Sequence, residues 1–517
     1  MQIEESVGSS TMPSSMPAST RVKDAIVAGS AAVMALGVYV YSLLPGVGYA
    51  GDTAKFQFLG VVGGVPHATG YPLYLALDQV WVRIVPWGSA AWRVNLLSAV
   101  LGAATVAVLY VLLRVLDVRI VAAAAAAGVF AVTKTFWSQA VVAEVYTLHT
   151  LFLVAVTACL AVWRKGGPNA WLLAGLGLYA MSFGHHLTTI VALPGVAWIV
   201  WSDRHRAFTW RNCAFVAGAA VLGAAQYLYL MRLSDIGRYH EGNIDTFSDV
   251  INYATGGDFK DSMGVFSLSE LLTQRIPLAL DFMRQEYTLL LVPIAVGVVR
   301  GLWAPTWRRD VAVHLLWLAV GTSLYIMNYD VGDLVVFCIP LFLSLAVFLG
   351  LGLDAGLEWL ESRWSTSPES RWAQAGRWGV VVGTAAVVVG VGSLGYSEAS
   401  RRGDVDEADR MEHALDIVDD GSVLLTDNYH DSEYLWYYLL AEGLGDERGL
   451  ALANQVEPGD VEQYFTGGTG PVAAAAQRTG RRGDPPLYTT ASSQADDLAE
   501  IGLTVTPVAD EVWRVSR

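Results

Sequence analysis

The sequence predicts an α-helical polytopic membrane protein of about eleven transmembrane helices with a small extracytoplasmic α/β domain at its C-terminal end. Three observations predict it. The chain of 517 residues is 54% hydrophobic and only 16% charged, where a soluble protein usually carries about 25% charged residues. Its apolar residues gather into long runs. Its net charge of −15 is confined: residues 1–397 hold 24 basic and 24 acidic side chains, whereas 398–517 hold 9 basic and 24 acidic ones. The split marks a domain boundary near Ser397. The composition excludes disorder over most of the chain, and the want of a basic face argues against a nucleic-acid binder.

Residues 1–20, rich in Ser, Pro and Met, read as a disordered cytoplasmic tail. The first apolar run, about 25–45, has no small-residue cleavage pattern and reads as a signal anchor. Further runs lie at about 94–113, 119–136, 145–163, 170–184, 187–201, 212–231, 288–302, 311–327, 334–353 and 378–396. The stretch 170–201 is either a pair broken at Gly184-His185-His186 or one long tilted helix. The distribution of Lys and Arg orients the map. With Arg21 and Lys23 in the cytoplasm, so are Arg114, Arg119, Arg164, Lys165, Arg204, Arg206, Arg211, Arg300, Arg308, Arg309, Arg363, Arg371 and Arg377; the short outer loops hold only Lys55, Arg83, Arg93 and Lys134. The expected location is the plasma membrane, with residues 21–397 as its embedded body and 398–517 outside. Cys159, Cys213 and Cys338 fall in predicted spans and suggest neither a disulfide nor a zinc site. Nucleotide-binding loops, zinc-protease helices and nucleophile elbows are not found.

Loop 46–92 is too apolar for a free loop. It predicts two short interfacial helices, parted at Gly63-Gly64 and restarted at Pro72. The segment 232–287 forms a long outer connection. In the tail, Ser422–Thr426 and Pro486–Thr490 read as strands, Asp431–Gly443 as a helix and 501–516 as a terminal β pair. This unit either contacts an acceptor or stands apart as a solvated lid.

Polar residues at membrane depth are functional hypotheses by default, and here they collect on the outer face. They are Asp52, His67, Tyr71, Glu144, Tyr146, His185, His186, Arg232, Asp330 and Asp333. On the cytoplasmic side the loops show only basic residues and chain breakers. Each candidate also has a plainer reading. Asp52 caps a helix, His67 is a loop hydrogen-bonder, Glu144 favours a helix dipole, and Asp330 and Asp333 form a turn and a cap. His185 and His186 diverge on a helix, so at most one faces a given site.

Five stretches carry a resemblance: GDTAKFQFLGVVGGVPHATGYPLYLAL (51–77), AWRVNLLSAVLGAATVAVLYVLL (91–113), TFWSQAVVAEVYTLH (135–149), GHHLT (184–188) and NYDVGDLVVFCIP (328–340). Together they resemble the domain-of-unknown-function-2723 family, which includes transmembrane protein O-mannosyltransferases within the GT-C glycosyltransferase superfamily. Two positions depart from the family pattern: Lys55 replaces a frequent acidic residue, and Ala68-Thr69 replaces a Pro-Pro pair. The first departure weakens a metal site built on an acidic pair, and a divalent metal has no other support. The resemblance implies an inverting transferase with a polyprenyl- or dolichyl-phosphate sugar as donor, mannose or another hexose as the sugar, and a glycoprotein, glycan or lipid as acceptor. Asp52 would be the general base. His185, His186, Arg232 or Lys134 would offset the phosphate charge, Glu144 and Tyr146 would orient hydroxyls, and Asp330 and Asp333 would shape the acceptor pocket. A lipid flippase or transporter and a non-catalytic scaffold are the rival readings. A flippase would place polar residues at mid-membrane in two related halves, a pattern the sequence does not show.

Overall fold

The protein was analysed as a computed structural model that describes residues 18–48, 51–364 and 371–517. Of the expected N-terminal tail, residues 1–17 lie outside the described residues. All eleven apolar runs fall on helices, though not every one is a long, straight helix. Among the described residues, eight helices are long and apolar enough to cross a membrane, or nine if one bent pair counts as a span. Run 119–136 is that pair, Ile120–Ala131 and Lys134–Ala140, bent by 67°. The stretch 170–201 is broken at the histidines into Asn169–Ser182, a short 3-10 turn and Leu193–Ser202. A helix of 14 residues rises only about 21 Å, short of a hydrocarbon core of about 30 Å. The chain is a multi-pass membrane protein.

The basic residues assigned to the cytoplasmic side are not alone there, which corrects the sequence reading. Arg114 meets Asp24 at 2.8 Å, Arg119 meets Asp354 at 2.8 Å, Arg300 reaches the same carboxylate at 3.2 Å, and Arg308 meets Asp117 at 3.1 Å. Arg164 is paired with Asp310. These pairs tie helix ends together and explain why residues 1–397 carry so many arginines without net charge.

Helices Leu291–Leu302 and Ile339–Trp364 cross at glycines. A Cβ at Gly297 would overlap the Phe348 carbonyl, and one at Gly352 the Pro293 carbonyl. Small residues let backbones approach this closely where lipid gives no hydrophobic drive to association.

The expected pair of helices in the first loop is present as Thr53–Val62 and Pro72–Ile84. The first is not interfacial. Eight of its ten residues are buried, between Pro72–Ile84 and Ala90–Val115 on one side and the C-terminal helical segment Tyr429–Ala441 on the other. Its end is fixed by a two-residue parallel pairing of Gly64–Val65 with Tyr239–His240. Gly64 permits this approach, since a Cβ there would strike the Tyr239 carbonyl.

The C-terminal segment contains a five-stranded sheet in the order Ala451–Asn454, Val423–Thr426, Leu487–Thr489, Val512–Ser516, Thr504–Ala509. The first three strands are parallel and the last two antiparallel to their neighbours. Parallel neighbours need crossovers, and helices Tyr429–Trp436, Pro458–Phe465 and Pro471–Arg478 supply them. Val423, Leu425, Ala453, Val461, Val472 and Leu487 form its own small core. It is not a detached lid. The Ala91 N–H donates to the Tyr437 hydroxyl at 3.2 Å, and the Arg401 N–H donates to the Ser42 carbonyl at 3.0 Å.

Candidate active site

The first loop, the long outer segment, the turn before Leu334 and the C-terminal helix meet around a cavity of about 490 Å³. Asp52 opens helix Thr53–Val62, but its carboxylate makes no capping bond. The plain cap reading is therefore wrong. The helix turn instead brings Lys55 back beside it, with Nζ 2.9 Å from Asp52 Oδ1. The Tyr429 hydroxyl, from the C-terminal unit, lies 3.4 Å from the same oxygen. Asp52 Oδ2 has His67 Nε2 at 3.5 Å. His67 also has Lys55 Nζ 3.3 Å from its Nδ1 and the Tyr71 hydroxyl 3.2 Å from its Nε2. Burial works against charge on Asp52, but His67 and Lys55, with hydrogen bonds from Lys55 and Tyr429, hold its carboxyl below the usual range. It is ionised, and 28% of its side chain remains exposed.

Glu144 precedes helix Tyr146–Arg164 and reaches across to the first loop. Its Oε1 accepts the Asp52 backbone N–H at 2.8 Å and so fixes the loop that carries Asp52. Burial, then the Asp52 charge, pushes its carboxyl well up. Asp333 lines the cavity from an exposed turn, where partial desolvation, with the Asp52 charge adding to it, raises its carboxyl. Asp330 is exposed and outside the lining.

His185 and His186 sit in a turn between helices, not on one. His186 lines the cavity, bonded to the Thr188 hydroxyl at 2.6 Å and set against the rings of Tyr71 and Tyr146. His185 lies outside the lining and donates from Nε2 to the Val145 carbonyl at 2.8 Å. Burial lowers both imidazoles, that of His185 to about 4, so both are neutral near pH 7 and offer hydrogen bonds rather than charge. Arg232 is exposed and outside the cavity. Lys134 is also outside it, held by Glu398 at 2.7 Å and Gln285 at 2.9 Å. The cavity's lysines are Lys55 and the exposed Lys260.

Several residues of the site escaped the sequence reading. Lys55 was legible, three positions after Asp52 on a helix. Glu241, Tyr429 and Glu433 were not, because they lie far along the chain and enter only through the Gly64–Val65 pairing and the docking of the C-terminal helix. His149, whose ring lies 4.9 Å from that of His186, was hidden inside a predicted span. Asp78 is fully buried with both carboxylate oxygens unpartnered, and burial raises it well above the usual range.

Residues 52–209 match the family described as the Protein O-mannosyl-transferase TMEM260 N-terminal domain. The match begins at Asp52. The Mus musculus Protein O-mannosyl-transferase TMEM260 is 26% identical over 251 residues, 47% of this chain and 35% of that protein. The Dictyostelium discoideum protein of the same name is 22% identical over 236 residues, 42% of this chain and 29% of that one. The matched segment thus spans a third or so of these curated relatives. Among solved structures, ArnT from Cupriavidus metallidurans bound to undecaprenyl phosphate superposes with a TM-score of 0.62 at 14% identity, over 96% of this chain and 98% of that chain. Its apo state gives 0.59 at 15% identity. The fold is of the GT-C type.

Proposed function

We propose that the protein is a membrane glycosyltransferase that moves a hexose, mannose by its TMEM260 likeness, from a polyprenyl-phosphate donor to an acceptor hydroxyl on the extracytoplasmic face. One observation carries the reading: an ionised carboxylate, Asp52, is held by Lys55, His67, Glu144 and Tyr429 at the wall of a half-open, aromatic-lined cavity. Asp52 takes the proton of the acceptor hydroxyl as its oxygen attacks the anomeric carbon. Attack from the face opposite the phosphate inverts that carbon. The leaving phosphate is already an anion and needs a countercharge more than a proton. Lys260 is placed to supply it, since Lys55 is engaged by carboxylates. Tyr71, Tyr146 and Tyr329 offer apolar faces on which a sugar ring packs. Support comes from the match that starts at Asp52 and from the fold shared with an undecaprenyl-phosphate-bound protein.

The test is Asp52→Asn in purified full-length protein, assayed for sugar transfer from a synthetic polyprenyl-phosphate hexose. Loss of a general base costs about 10²–10⁴-fold in rate, so transfer is expected to fall by that factor while the protein stays folded in detergent. Undiminished transfer would remove Asp52 from this role.

A further inference from the structure

We propose that Lys55 is a resident cation standing where a divalent metal would stand, so that Asp52 is positioned and charge-paired without one. The role of Asp52 rests on the reading above; the cation site itself does not. The Lys55 side chain is 1% exposed, and an ammonium buried to that degree persists only when it is paired. Its Nζ lies 2.9 Å from Asp52 Oδ1, 2.6 Å from Glu241 Oε1, 3.5 Å from Glu433 Oε1 and 3.3 Å from His67 Nδ1. These partners come from the first helix, the loop after it, the long outer segment and the C-terminal unit. Carboxylates and an imidazole are the donor types that divalent cations take, but here they are spaced around an ammonium.

Among the described residues no three of His, Cys, Asp and Glu are arranged to hold a metal ion. Three of the four distances to Nζ, 2.9–3.5 Å, are longer than the roughly 2.0–2.6 Å of metal–oxygen contacts, and the fourth, to Glu241, lies at their upper edge. Lys55 also faces the Tyr429 ring at 5.0 Å. It therefore joins the membrane body to the C-terminal unit at the reacting carboxylate, as a positioning residue that acts through Asp52.

The experiment uses the full chain in detergent. Transfer by the unaltered protein is expected to be unchanged after EDTA treatment. Lys55→Ala is expected to lose at least about 10²-fold in rate, and added Mn²⁺ or ethylamine should restore part of it, which a merely structural loss would not allow. Independently of activity, electron paramagnetic resonance should detect one Mn²⁺ bound by Lys55→Ala and none at this cluster in the parent protein. Adding Glu241→Gln should abolish that binding. Transfer by the parent protein that EDTA abolishes and Mn²⁺ restores would overturn the proposal, and so would a folded Lys55→Ala that binds no Mn²⁺. If the parent protein transfers no sugar, the proposed function fails while the Mn²⁺ measurement still decides this one. If Lys55→Ala does not fold, the EDTA arm decides it.

Discussion

At the scale of single residues, the same burial that isolates the cavity sorts its carboxylates into two kinds. Asp52 is paired and ionised. Glu433 is placed more deeply, 2% exposed against 28% for Asp52, and Lys55 is 3.5 Å away. Burial, only partly offset by Lys55, pushes its carboxyl up to about 7. A carboxyl raised on folding lends stability below its ordinary value and loses it as pH climbs through the folded one. The loss from Glu433 falls between about pH 4.5 and about pH 7. Glu144, Asp78 and Asp333 are raised too and act with the same sign, so the contribution of Glu433 is read by difference. Melting temperatures across that window should fall less steeply for Glu433→Gln than for the parent protein. Parallel slopes would mean that Glu433 does not titrate there. Asp52 was legible as a candidate because a carboxylate at the head of an apolar loop stands out. That its charge is balanced by Lys55 rather than used in a cap was not, since an acid before a helix has the same sequence pattern in both cases.

At the scale of elements, periodicity and breakers placed the helices well and their surroundings badly. Thr53–Val62 has the apolar content of an interfacial helix, but what covers it is the segment Tyr429–Ala441, nearly 400 positions later. Its buried state is a tertiary fact. The crossing of Leu291–Leu302 with Ile339–Trp364 likewise depends on two glycines that are unremarkable among the 51 in the chain. Gly352→Val should force these helices apart. Overpacking of this kind costs about 1–3 kcal/mol, and more where backbone is struck. A lowered melting temperature in detergent is expected, with Gly356→Val, whose added Cβ meets nothing within 4 Å, as the control. Equal stability of the two variants would refute the close crossing.

At the scale of the whole molecule, the neutral membrane body and the acidic C-terminal unit are two chemical populations on one chain. By the positive-inside rule, the sorting of arginines along the sequence predicts a cytoplasmic N-terminus and a C-terminal unit outside. A protease-cleavable tag after Arg517 should be cut from outside intact cells and spared from within. Cleavage only after the cells are opened would reverse the orientation and move the cavity to the other face.

Composition and apolar periodicity alone determined that this is a multi-pass helical membrane protein, where its charge resides, and which loop carries Asp52. They could do so because hydrocarbon excludes unpaired backbone groups and charge, so that continuous apolar runs of this length cross it as helices. Tertiary structure alone decided where the apolar runs bend or break, that arginines at the helix ends are paired, and that Asp52 shares its cavity with Lys55, Glu241 and Tyr429, with Glu433 behind Lys55. Those partners are set by which distant segments pack together, and a buried charge is stable only where such packing brings its partner to it.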